Sequence, residues 1–420
     1  MKSFTFFISL LFLTSANLFS QEKIITGTVT DSLDVPLPYA SVILRNSAIG
    51  VCTNENGKYE LFVTPKLQFD TLEISFIGYN TYKKLIHFND STFSHNIKLS
   101  QHNIKLQDIV VTSEKLNGKL ILLKAIKNLR KNYYKNFYLE GFYREEAYKN
   151  DTIGRLIEAS AAIKLKSIDF DPYKDKLSIF QLRKSDDMLD KLNWFQKKIL
   201  TSTYRLLNGK KFVRNGLYEL FQKDYPLNKT DLKNYEITIT KVLEQENSKV
   251  YEIKCRYNKF NNDIISFYYH IDINDFSILQ MQKQFKVPNQ GFKNDYWEFT
   301  KVEFRKIDQK YIPSLIIFQK YGGDLGDKTQ GTANGKKVNQ FVRKTFLTNN
   351  WSKKIGDQRK IFKSTVVSPF EWFSDINFSY NPIFWENYNL IYNDNTRNQK
   401  YKFLTKTKKL EQQFIDNGQQ

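Results

Sequence analysis

The chain has 420 residues, of which 41% are apolar and 15% aromatic, enough for two or three packed domains, so a disordered chain is excluded. Its two cysteines, Cys52 and Cys255, lie far apart and imply no disulfide framework, so both are expected as small core residues. The formal charge of +20 is uneven: residues 21–115 hold nine Lys or Arg against ten Asp or Glu, so the excess lies from Leu116 onward, densest at Arg397, Lys400, Lys402, Lys406, Lys408 and Lys409.

The chain begins with Lys2, an apolar run over residues 4–13, and small and polar residues down to Gln21. This is the layout of a secretory signal peptide over residues 1–20, with cleavage after Ala16 or Ser20. The run is about ten residues long against the roughly twenty that a spanning helix needs. No Cys follows either cleavage site, so no lipid anchor is expected. An exported basic chain meets an anionic lipid, an acidic glycan or an outer-membrane protein rather than nucleic acid.

Residues 24–98 read as short strands between turns. Strands are expected over 25–31, 40–44, 59–63 and 71–76, with Pro36 and Pro38 breaking the first and Asn54, Asn56 and Gly57 forming a turn into the third. Four pieces of this text, Gly27-Thr28-Val29 with Asp31, Pro38-Tyr39-Ala40-Ser41-Val42, residues 53–59 and Ser75-Phe76-Ile77-Gly78-Tyr79, together resemble the carboxypeptidase D regulatory-like domain. The resemblance implies a transthyretin-like sandwich over residues 21–100 that serves as a spacer or docking module, without peptidase activity. Residues 106–112 are similar to text that precedes the plug of TonB-dependent receptors. The roughly 300 residues that follow are too few for a 22-stranded barrel at about ten residues per strand plus loops.

Leu122, Ile126, Leu129 and Tyr133 fall on one face of a helix over residues 119–136, placed in a linker over 101–138. Gly141-Phe142-Tyr143-Arg144-Glu145 and residues 381–389 resemble Bacteroidetes proteins that carry a carboxypeptidase-like regulatory domain, a group that implies no activity. Residues 251–257 and 265–273 alternate as half-buried strands, and further strands are expected over 279–285, 296–304 and 315–321. A helix is expected over 187–208 and a mobile Gly-rich loop over 322–337. The chain is therefore expected to be mainly β with some α: an N-terminal transthyretin-like β-sandwich, then a larger α+β domain over 139–420. That domain is expected to carry a curved antiparallel sheet, similar to the lipoprotein-carrier half-barrel, and an aromatic, basic tail.

No catalytic template is found. His87, His95, His102 and His270 lack the spacing to Glu of a zinc carboxypeptidase, and each is expected at the surface or a strand edge. There is no nucleophile elbow, phosphate loop or dinucleotide fingerprint, so no catalytic residue, metal ligand or cofactor is assigned. Asp169 with Asp171, Asp186 with Asp187, and Asp324 with Asp327 are the acid pairs a hydrolase of envelope glycans or peptides would need. Trp372, Phe373, Phe384, Trp385 and Tyr388 either pack the tail onto the sheet or form a ligand-binding platform, since large rings left exposed make a sticky patch. The six basic residues from Arg397 to Lys409 are the candidate contact for a membrane or an acidic partner. The reading is a non-catalytic envelope protein with a docking sandwich and a ligand- or partner-binding domain; a hydrolase or a membrane-surface component of a receptor or transport system are the alternatives.

Overall fold

The computed structural model describes residues 23–47, 49–63, 67–88, 92–101, 117–149, 152–165, 176–188, 226–227, 231–245, 248–258, 265–287, 296–322, 340–352, 373 and 376–419. The signal-peptide segment, residues 106–112, almost all of the stretch 187–208, the loop beyond Gly322, His102, Trp372 and the pairs Asp169/Asp171 and Asp324/Asp327 lie outside them.

The sandwich follows from alternation. β1 (Lys23–Asp31) turns Ile25 and Val29 inward, and β4 (Lys58–Val63) turns Tyr59, Leu61 and Val63 inward, so each can cover the other sheet. One sheet runs β4-β1-β7, where β7 (Thr92–Ser94) and then β8 (Ile97–Leu99) pair parallel to successive parts of β1. The other is antiparallel and runs β3-β2-β5-β6, from β2 (Ser41–Leu44), β3 (Ile49–Cys52), β5 (Phe69–Ser75) and β6 (Tyr82–His87). Sequence periodicity did not find β3, β6, β7 and β8: they are short, and β6 buries only Ile86. The turn at 53–58 is held by Asn54, whose Oδ1 accepts from the amides of Asn56 (2.9 Å) and Lys58 (3.0 Å). Gly57 sits there at φ +72°, where an added Cβ would lie 2.4 Å from the Val29 carbonyl oxygen.

The rest of the chain builds a ten-stranded antiparallel sheet in the order β11-β10-β9-β18-β17-β16-β15-β14-β13-β12. Its strands are β9 (Phe137–Lys149), β10 (Thr152–Leu165), β11 (Lys176–Lys184), β12 (Tyr235–Gln245), β13 (Ser248–Tyr257), β14 (Ile265–Asp272), β15 (Ile278–Val287), β16 (Tyr296–Ile307), β17 (Lys310–Gly322) and β18 (Gln340–Ser352). One face is an apolar core in which Tyr143, Ile157, Ile253, Phe267, Val302 and Ile316 meet. Helix α1 (Gly118–Asn132) lies on that face, burying Ile121, Leu122, Ala125 and Leu129 against β12, β14 and β17.

The helix is shorter than its periodicity suggested. Its start is capped by the Asn117 side chain, which accepts from the Lys119 amide at 2.9 Å. Its end is fixed by Asn132, whose amide donates to the Asp275 carbonyl and the Ser277 hydroxyl, both at 2.8 Å. Tyr133 therefore leaves the helix in an extended conformation and is buried between Phe304 and Tyr311, its hydroxyl donating to the Ile278 carbonyl. His270 also departs from its expected surface position: it is buried in β14, beside Gln280 (3.3 Å) and Glu252 (3.3 Å). Cys52 and Cys255 are both buried as free thiols.

Candidate functional site

Successive side chains of a strand point to opposite faces, so β9 presents Tyr143 and Glu145 toward α1 and Phe142, Arg144, Glu146 and Tyr148 toward the other side. That second face receives the sandwich. Phe142, Leu315, Ile317 and Leu347 join Val42, Leu61 and Ile74 in one buried cluster, completed by Trp385 and Ile391 of the C-terminal segment. The segment carries α2 (Pro382–Glu386), α3 (Asn395–Lys400) and α4 (Leu410–Gly418), capped at Asn381 and Asp394 for the first two.

The segment knits the two parts together. Asn389 donates to the Phe62 carbonyl (3.1 Å) and accepts from the Phe62 amide (2.8 Å), copying a ladder pair on the free edge of β4. Its own carbonyl accepts from Asn349 of β18 at 2.6 Å. The turn at 53–58 docks on the same segment: Asn54 donates to the Tyr392 carbonyl (3.2 Å), Asn56 to the Asp394 carboxylate (2.5 Å), and Glu55 takes Lys400 (3.0 Å) and Arg343.

Beneath the segment lies a buried set of charges. Glu158 is paired with Arg144 (2.5 Å) and Arg183 (2.6 Å), and Glu146 accepts from Arg397 (3.1 Å) and from the Tyr148 hydroxyl (3.2 Å). On the α1 side, Glu145 is held by Lys344 (2.9 Å), Arg155 (2.8 Å) and the Tyr143 hydroxyl (2.7 Å). Burial alone would raise the carboxyls of Glu145 and Glu158, but the neighbouring cations outweigh it and hold each at about 2. These acids are fixed as anions by their bases, an arrangement that cements the fold and leaves them no proton to exchange near neutral pH.

The seam also holds a cavity of about 320 Å³ that is partly open to solvent. The sandwich contributes Ile49, Phe62 and Val63; the sheet contributes Glu140, Ser160, Phe180, Asn349 and Asn350. Asn387, Tyr388 and Asn389 close it from the C-terminal segment. Two β-bulges shape it. The register of β18 on β9 slips between Thr348, opposite Gly141, and Asn350, opposite Glu140, so Asn349 is the extra residue. The register of β10 on β11 slips between Ser160, opposite Gln181, and Ala161, opposite Ile179, so Phe180 is extra there. Bulges turn side chains out of the regular alternation, and here each extra residue faces the cavity. Gly141 belongs to this geometry, since a Cβ would lie 2.4 Å from the Leu347 carbonyl oxygen.

Burial raises the Glu140 carboxyl, and it raises the Tyr388 phenol against the hydrogen bonds of Ser160 and Asn349. The Oδ1 of Asn349 is buried without a hydrogen-bond partner. Among the described residues no group of three or more His, Cys, Asp or Glu is placed to hold a metal ion.

The predicted site residues divide. Phe373 packs edge-on against Tyr143 (4.8 Å) on the α1 side, whereas Trp385 and Tyr388 contact Phe142 on the sandwich side (6.5 and 6.3 Å), so the aromatics do not form one platform. Phe384 stacks on Tyr388 at 4.9 Å, and Trp385 is buried with the Arg183 guanidinium 4.2 Å over its ring. The basic residues divide likewise. Arg397 is buried on Glu146 and Lys400 is bound to Glu55, while Lys408 pairs with Asp416 and Lys402, Lys406 and Lys409 are exposed. Asp186 and Asp187 do not form an acid couple: Asp187 pairs with Arg155 (3.1 Å) and Asp186 accepts from Asn417 (2.9 Å). Phe180 and Asn349 escaped sequence reasoning because a single unpaired residue in a strand leaves no periodic signal, and Glu140 and Ser160 because β9 and β10, in which they are paired, carry buried charges that break the alternation.

Fold and site define a mainly β protein in which a small sandwich and a ten-stranded sheet share a seam closed by the C-terminal segment. Residues 25–111 match the family model of the CarboxypepD_reg-like domain, as the sequence motifs indicated. No curated protein matches the chain. Among solved structures, a LolA superfamily protein from Nitrosomonas europaea is 10% identical over 59% of this chain and 97% of its own, with a TM-score of 0.22. An outer membrane lipoprotein-sorting protein domain from Vibrio parahaemolyticus is 7% identical over 59% of this chain and all of its own, at 0.26. A membrane-associated protein from Bacteroides fragilis is 11% identical over 79% and 98%, at 0.17.

Proposed function

We propose that the chain is an exported, non-catalytic binding protein of the cell envelope, in which the sandwich and the large sheet act as one recognition body and the seam cavity is the ligand site. The observation that carries this is that three separate parts of the chain line one pocket. Such convergence of a few polar groups with aromatic walls, at a volume within the roughly 300–1,000 Å³ of small-molecule sites, is the ordinary form of a binding pocket. Export is supported by the signal-like segment at the start. None of the helices among the described residues is long and apolar enough to cross a membrane, and strands are not covered by that statement.

The hydrolase reading is weaker on geometric grounds. It needs two acids facing one substrate, and among the described residues the cavity wall offers one, Glu140, while the buried acids Glu146 and Glu158 are paired with Arg. The test is a binding titration of the full chain against a panel of envelope glycans, short peptides and fatty acids, with the supernatant assayed for products. Saturable binding without product is expected. Release of product that Glu140→Gln abolishes would make the chain an enzyme.

A further inference from the structure

The walls of the seam cavity are selective in their chemistry. Among the described residues, those of the lining include no Lys, Arg or His, so an anionic ligand finds no counter-charge there. They include one carboxylate, Glu140, and four carboxamides, each carrying both a donor and an acceptor. The apolar part of the wall is made of rings and branched carbons, among them Phe62, Phe180 and Tyr388. The Asn349 amide is oriented by its bond to the Asn389 carbonyl (2.6 Å), which commits its nitrogen and leaves Oδ1 as an acceptor. That oxygen is buried without a partner on a side chain only 7% exposed. A buried acceptor without a donor costs on the order of 1–3 kcal/mol, and a hydroxyl from a ligand supplies the missing donor.

We infer that the cavity takes an uncharged polyhydroxylated ring, a mono- or disaccharide unit, with its hydroxyls on Glu140, Ser160 and Asn349 and its carbon face on Phe180 and Tyr388. This rests on the reading of the seam as a ligand site and narrows it to one chemical class. A hydroxyl both donates and accepts, so a ring bearing several of them matches a wall of amides, hydroxyl and carboxylate. A fatty acid matches only the rings, and a phosphate meets the Glu140 carboxylate with no cation to offset its charge. The two bulged residues, Asn349 and Phe180, give the site its polar and its stacking element in turn.

The experiment is isothermal titration of the full chain with neutral hexoses, N-acetylglucosamine, maltose and cellobiose, alongside glucuronate, glucosamine, inorganic phosphate and a medium-chain fatty acid. It is repeated on Asn349→Ala, on the near-isosteric Glu140→Gln and on the remote helix variant Lys127→Ala, each checked by circular dichroism for a native fold. The expected result is that at least one neutral sugar binds and that the anionic probes, glucuronate, phosphate and the fatty acid, bind at least about tenfold more weakly. Asn349→Ala should weaken sugar binding by about tenfold, the loss of one good hydrogen bond; Glu140→Gln should weaken it by about threefold, because a carboxamide still bonds a hydroxyl without the assistance of charge; and Lys127→Ala should leave it unchanged. Binding of the fatty acid or of phosphate instead, still lost in Asn349→Ala, would overturn the sugar assignment and leave the cavity as a site. No binding by any probe, or binding that the cavity variants do not alter, would overturn both.

Discussion

The two faces of the ten-stranded sheet are built on different principles. The face under α1 is an almost continuous apolar core, Tyr143, Ile253, Phe267 and Met281 among its members, into which the ion pairs of Glu145 and of Lys283 with Glu298 are set. The face under the sandwich has fewer apolar contacts and carries Arg144, Glu146, Glu158 and Arg397, all buried, with two bulges beside them. Apolar burial is non-directional, so the first face supplies stability without fixing a unique partner orientation. Paired charges and side-chain-to-backbone bonds are directional, so the second face fixes where the sandwich and the C-terminal segment sit. The cavity exists because that docking is specific.

The contrast can be broken most sharply at Glu158. Glu158→Ala leaves the Arg144 and Arg183 guanidiniums without their shared carboxylate in a buried place, and the loss is expected to be on the order of 3–5 kcal/mol in denaturant unfolding. A loss below about 1 kcal/mol would mean that water reaches the pair.

Acid should next separate the buried ion pairs, which occur on both faces, from the apolar packing under α1. Glu145 and Glu158 titrate at about 2 in the folded chain, below the ordinary carboxylate value near 4.3, so the stability they contribute is complete above about pH 4.5 and drains away as pH falls toward 2. Each accounts for on the order of 3 kcal/mol across that window. Glu158→Gln should flatten the acid limb, whereas Leu122→Ala, in α1, should lower stability without changing its slope against pH. An unchanged acid limb in Glu158→Gln would assign acid sensitivity elsewhere.

A smaller effect is expected at Asn389. Removing its amide in Asn389→Ala forfeits two bonds to Phe62, on the order of 1–3 kcal/mol, and should raise hydrogen exchange at the Phe62 amide while leaving α1 protected. Smallest of all, Lys402→Gln, Lys406→Gln and Lys409→Gln together should shift stability by less than about 0.5 kcal/mol each. If the exposed tail lysines meet anionic lipid, the same triple variant should lose salt-sensitive binding to phosphatidylglycerol vesicles.

Much of this was legible before the structure, and the illegible parts share a cause. The turn at 53–58 could be read from Asn54, Asn56 and Gly57, yet its docking partner Tyr392 lies 338 residues away and leaves no local trace. Strands β13 and β14 announced themselves by alternation, because one side of each is apolar. Strands β9 and β10 did not, since Arg144, Glu145, Glu146 and Glu158 occupy buried positions and break the period. Trp385 could be anticipated as a packed ring, but not its cation neighbour Arg183. The cavity itself depends on two register slips, which are properties of paired strands and of neither strand alone.

The central claim is that sandwich and sheet form one cooperative body through the seam. Differential scanning calorimetry of the full chain measures this directly. A single transition, with calorimetric and van't Hoff enthalpies in agreement, is the predicted result, and the combined change of Asn389→Ala and Arg397→Met should split it in two. Two independent transitions in the unaltered chain would contradict the claim.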